Sequence, residues 1–125
     1  MSAHDLYSKV AITKTKGVIV VTMQPDLDEE GFDTMCKVVL ELTAKTKIKA
    51  VVLDFSAVDV LNLLEFQSVK AFLASVRLLG AKTAIVSLKA GSVVYLTEVQ
   101  AETEGINYFF DLDEALQRFG DREAC

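Results

Sequence analysis

Histidine is almost missing from this sequence: His4 is the single one in 125 residues. Proline occurs once, cysteine twice, and the six glycines are scattered singly. Each scarcity removes a class of chemistry. One histidine leaves no Cys/His cluster at metal-ligand spacing. Ser56, Ser68, Ser87 and Ser92 have no imidazole to activate them, which disfavours a serine hydrolase. Dispersed glycines form neither a Gly-x-Gly-x-x-Gly turn nor a phosphate loop. His4 sits so near the start that no catalytic or metal role is expected of it.

The two cysteines make a poor disulfide framework. Cys36 falls in an amphipathic run and Cys125 is the last residue, so a reducing compartment is expected. No apolar run approaches the ~20 residues of a membrane span. The opening "MSAHDLYSKV" has no apolar stretch of the signal-peptide kind, and the expectation is a cytoplasmic protein. A net charge of −5 argues against nucleic acid and against an anionic membrane surface. What is present is ordinary for a globular domain: 51% hydrophobic and 25% charged residues. Residues 1–125 therefore read as a single domain, long enough for a real core.

The pattern predicts α/β. Residues 7–13 ("YSKVAIT") and 17–23 ("GVIVVTM") read as strands joined by Lys14-Thr15-Lys16-Gly17, an antiparallel hairpin. Asp26 and Glu29 suggest a capping box for a helix over 27–45, with Phe32, Met35, Cys36, Val39, Leu40 and Thr43 at helical spacing. "IKAVVLDF" at 48–55 suits a strand buried on both faces. A helix over 63–79 follows, stopped by Gly80. A strand at 81–87, a helix over about 92–102 with Ser92 as N-cap, a strand at 106–110 and a helix from the Asp111/Glu114 box through Phe119 complete the chain. The order β-β-α-β-α-β-α-β-α implies a mixed central sheet covered by helices.

Candidate site residues gather between the third strand and the second helix, in "VDVLNLLEF" (58–66). Helix N-termini at such junctions attract anions. Asp54 and Asp59 lie where α/β proteins usually bind ligands. Together they could hold a metal, but loop carboxylates bonded to nearby amides are the plainer expectation. Ser56 reads as a turn residue and Ser68 as a structural helix residue. Asn62 can cap the second helix, with Glu65 completing a capping box worth ~1 kcal/mol.

The segment "VVLDFSAVDVLNLLEFQSVKAFLASVRLLGAKTAIVSLKAGSVVYLTEV" resembles the STAS domain, the fold of anti-sigma-factor antagonists and of the cytoplasmic tails of sulfate transporters. Within that family it looks most like stressosome scaffold and regulator proteins. The resemblance rests on the Val51-Val52-Leu53-Asp54 strand, the Val58-Asp59 loop, "RLLGAK" at 77–82 and "VSLKAGSVVYLTE" at 86–98, and it spans about residues 8–119. It implies a phosphoacceptor at the start of the second helix, after an Asp, used by a partner kinase. Here the Asp falls on Asn62 and the acceptor on Leu63, which has no hydroxyl. A second acceptor of some stressosome regulators falls on Tyr95, and the proline common before that helix is Ala90.

The expectation is thus a non-catalytic bacterial regulator without the standard phosphoswitch and without metal or cofactor. The resemblance implies a partner that is an anti-sigma factor, a switch-type Ser/Thr kinase or another STAS protein, and a possible homodimer or larger assembly. The expected contact residues are Ser56, Asp59, Leu61, Asn62, Leu63, Leu64 and Glu65, with Gln67 and Ser68 at the margin; of the three leucines, at least one is expected to point into the core, as the first helical turn often does. The alternative is a module binding a nucleotide or another anion at the helix start, where Asp59 and Glu65 would repel a phosphate. An enzyme has the least support, since no nucleophile–base pair can be proposed.

Overall fold

A computed structural model describes residues 11–120. His4, Cys125 and the first residues of the first expected strand lie outside them. The elements are β1 (Ala11–Thr15), β2 (Val18–Thr22), α1 (Glu29–Lys45), β3 (Ala50–Asp54), α2 (Leu63–Leu78), β4 (Lys82–Val86), α3 (Ala90–Glu98), β5 (Asn107–Phe109) and α4 (Leu112–Gly120). The order matches the sequence expectation.

The five strands lie in sequential order, β1 antiparallel to β2 and the rest parallel. Right-handed crossovers between sequential neighbours carry their helices to one face of a sheet. Accordingly α1, α2 and α3 cover one face, where Ile19, Val21, Val51, Leu53 and Ile85 meet Val39, Phe66 and Leu73. Alternate strand residues point the other way. There Val18, Val20, Val52, Ala84 and Val86 are covered by Ala115 and Phe119 of α4. This two-sided burial explains why the central strands read as unbroken apolar runs.

Three local expectations need correction. The hairpin turn is tighter than the four residues suggested: Thr15 pairs with Val18, and only Lys16 and Gly17 turn, both at positive φ (51° and 81°). Two consecutive left-handed residues give the turn whose twist matches paired strands, so β1 runs to Thr15. The N-cap of α1 is Asp28 rather than Asp26, its carboxylate accepting from the Gly31 amide at 2.7 Å. Leu27 N–H is engaged by the Gln24 carbonyl, so the chain is still turning there and the helix starts two residues later. The third correction, at Ser92, bears on the site.

Candidate functional site

The loop between β3 and α2 is fixed at both ends. Phe55, buried, donates its N–H to the Val86 carbonyl at 3.1 Å and extends the β3–β4 ladder by one residue. The Asp54 carboxylate turns back to accept from the Ser56 amide at 2.9 Å. At the other end the expected capping box is present: Asn62 Oδ1 accepts from Glu65 N–H at 2.9 Å, and Glu65 Oε1 accepts from Asn62 N–H at 3.0 Å.

Between these ends the loop is held by α3. Lys89 Nζ donates to Asp59 Oδ1 at 2.9 Å. Leu61 N–H donates to Ser92 Oγ at 2.8 Å, and that hydroxyl donates to the Asp59 carbonyl at 3.4 Å. Leu63 N–H donates to the Tyr95 hydroxyl at 3.4 Å. Lys89, Ser92 and Tyr95 are spaced by three, so they project from one side of a helix. Gly91 permits the approach: a Cβ there would lie 3.2 Å from the Asp59 carbonyl.

Ser92 is therefore not an N-cap. The helix begins at Ala90 with Lys89 in the cap position, and ends at Glu98 rather than 102. Ser92 is 1% exposed, and its hydroxyl serves a loop amide 31 residues away. Nothing local in the sequence pairs Lys89 or Ser92 with the loop, 30 and 31 residues away. The three-residue spacing of Lys89, Ser92 and Tyr95 is the available signal.

The three leucines separate. Leu61 is 4% exposed and belongs to the main core, so its side chain lies inside the domain and not on the surface expected of it. Leu63 is partly buried, and Leu64 is 76% exposed. Val60, half exposed, adds a second apolar side chain beside the helix start. Ser56, Asp59, Asn62, Glu65, Gln67 and Ser68 are all exposed.

The carboxylates do not converge on a metal: Asp54 faces the Ser56 amide and Asp59 faces Lys89. Among the described residues no group of three or more His, Cys, Asp or Glu side chains comes together. Burial, with Asp33 nearby, pushes the Cys36 thiol up to about 12, leaving it protonated and unreactive at neutral pH. An open groove of 360 Å³ between α3 and β5 is lined by apolar side chains including Ile85, Leu88, Leu96 and Phe110. No lysine or arginine is in its lining, so it offers a nucleotide phosphate no charge partner.

The hydrogen bond from Lys89, and then its charge, hold the Asp59 carboxyl below its ordinary value. A depressed carboxylate stabilises the fold fully above the unfolded-state value and loses that contribution as pH falls through the folded-state value. At neutral pH the pair is intact. Lys89→Met should return Asp59 to the ordinary carboxylate range, readable as a rise in its NMR titration midpoint. An unmoved midpoint would show that the pair does not form in solution.

The STAS domain family model matches residues 9–115. Among solved structures, a serine-to-glutamate variant of RsbS from Moorella thermoacetica superposes with a TM-score of 0.78 at 20% identity, covering 94% of this chain and 99% of that one. A chain from the molecular architecture of the stressosome, a signal integration and transduction hub, gives 0.77 at 19%, covering 92% and 100%. The Bacillus cell fate determinant SpoIIAA in its phosphorylated form gives 0.64 at 9%, covering 87% and 97%. No curated protein sequence matches significantly. None of the described helices is long and apolar enough to cross a membrane.

Proposed function

The chain belongs to the STAS domain family, and from that membership we propose that it is a non-catalytic regulatory protein. It acts by protein–protein binding, in the manner of an anti-sigma-factor antagonist or a stressosome subunit, in the bacterial cytoplasm. The contact surface is the start of α2 with the loop before it: Ser56, Asp59, Asn62, Leu64 and Glu65, with Leu63 partly covered and Gln67 and Ser68 at the margin. Leu61 supports this surface from below. The partner is an anti-sigma factor, a switch-type Ser/Thr kinase or another STAS protein.

One observation carries this reading. Leu64 is exposed on a loop–helix junction held in place by hydrogen bonds with Lys89, at the cap of α3, and with Ser92 and Tyr95 of α3. A preorganised junction presenting an apolar side chain binds with little ordering cost. A large exposed apolar residue at such a place is a mark of a contact surface.

The proposal includes a missing switch. A phosphate at the helix start carries a charge near −2 and alters the complementarity felt by a partner. Leu63, in the position where the resemblance places the acceptor, cannot receive one, and binding here is constitutive with respect to that site. Leu63→Ser restores a hydroxyl at the first helical residue. A kinase captured with the protein from its native host should phosphorylate this variant, read by mass spectrometry, and leave the native chain unmodified. Phosphate on native Ser56 or Ser68 would overturn the switchless reading.

A further inference from the structure

An edge strand presents a row of unpaired backbone groups. The two edges of this sheet differ in how they are guarded. β1 carries Lys14, and Lys16 follows in its turn, charges of the kind that keep another strand away. β5 carries none: it is Asn107, Tyr108 and Phe109, with Phe110 directly after. The Phe109 carbonyl accepts from Ser87 N–H at 3.3 Å, so the Phe109 backbone faces β4. Backbone direction alternates along a paired strand, so Tyr108 and Phe110 turn their N–H and C=O groups to the open side.

Side chains alternate as well. Phe109 packs edge-on against Phe119 of α4, with ring centroids 5.9 Å apart. Tyr108 and Phe110 therefore lie on the α3 face, where both line the 360 Å³ groove with Val93, Leu96 and Thr97. Phe110 is 84% exposed, and Val93 and Tyr108 are exposed too. The same two residues thus offer open hydrogen-bonding groups along the edge and an apolar surface beside it.

Charge selects the occupant. Residues 90–117, which supply α3, β5, the connection between them and most of α4, contain no Lys, Arg or His. They carry Glu98, Glu102, Glu104, Asp111, Asp113 and Glu114, all exposed. The basic groups bordering this stretch are engaged or lie on the other face. Lys89 pairs with Asp59 at 2.9 Å, and Lys70 donates to the Glu102 carbonyl at 2.9 Å. Lys82 and Arg118 line a recess with Phe119, on the α4 face.

We propose that β5 accepts an extended peptide segment of a partner protein as a sixth strand of the five-stranded sheet. The segment carries apolar side chains on one face and Lys or Arg on the other. Strand addition gains main-chain hydrogen bonds from Tyr108 and Phe110, and alternate apolar side chains enter the groove. The basic residues meet the carboxylates around β5, which steer the encounter. Val93 and Thr97 face this groove, whereas Ser92 and Tyr95 face the loop before α2. The site is therefore distinct from the proposed contact surface at α2 and does not rest on it.

The probe is fluorescein-labelled Lys-Val-Arg-Val-Lys-Val-Arg-Val-Lys, titrated with the full chain and followed by fluorescence polarisation. Saturable binding is expected. N-methylation of one alternate set of its amides should abolish binding, and methylation of the other set should preserve it, since only one set faces β5. Phe110→Ser, with an unchanged circular dichroism spectrum, should weaken binding by about tenfold. Glu102→Gln with Glu104→Gln should weaken it by about threefold. Leu64→Asp should bind the probe as the native chain does. With the probe bound, the Tyr108 and Phe110 amides should exchange more slowly. Absence of saturable binding, equal affinity of the two methylated peptides, or full affinity in Phe110→Ser would overturn the proposal. Loss of binding in Leu64→Asp would also overturn it, by moving the probe to the α2 junction. So would slower exchange at Tyr108 on raising protein concentration without probe, which would give the edge to a second copy.

Discussion

Leu61→Ala is expected to lower the unfolding free energy by about 2–5 kcal/mol, and Leu64→Ala by less than about 0.5 kcal/mol. The two side chains are three residues apart in one junction, and their burial differs almost completely, 4% against 76% exposed. Removing Leu61 leaves a cavity in the main core beside helix residues that cannot collapse without moving α2. Removing Leu64 exposes nothing that was hidden. Urea unfolding followed by circular dichroism measures both as midpoint shifts at constant slope. Equal losses from the two variants would mean that Leu64 packs inward and is no contact residue.

Ser92→Ala should cost about 1–3 kcal/mol, more than a surface serine, because it leaves the buried Leu61 amide without an acceptor. The hydroxyl also donates to the Asp59 carbonyl, so both sides of the loop lose their tie to α3. Amide exchange gives a second readout. The Leu61 amide should exchange markedly faster in the variant, while amides of β3 such as Val52 change only with global stability. A Leu61 amide as protected as before would show that Ser92 does not hold the loop.

Much of this was legible in the sequence. Val51 to Asp54 read as a buried strand because an unbroken apolar run fits a strand covered on both faces. Asn62 and Glu65 read as a capping box because that bond is local, three residues long. What escaped depends on distance along the chain. Asp59 meets Lys89, and Leu61 meets Ser92, 30 and 31 residues apart, and no periodicity reports such pairs. Ser92 after Gly91 looks like a cap until a loop amide from another element claims its hydroxyl. Asp26 and Asp28 are both plausible caps by composition, and the turn closed by Leu27 and Gln24 decides between them. The leucines are a different case. With Asn62 as N-cap, Leu61 and Phe66 occupy the two positions of a hydrophobic staple, and both are buried in one core. Leu64 precedes Phe66 by two residues, about 200° around the helix, which points it away from the core. The separation of Leu61 from Leu64 was therefore present in the sequence.

The most direct test of a constitutive contact surface at the start of α2 is partner capture from the native host with the native chain and with Leu64→Asp, compared side by side. The account predicts that a specific partner is retained by the native chain, without phosphate on it, and is lost by a variant of unchanged stability. Equal retention by both chains would contradict it.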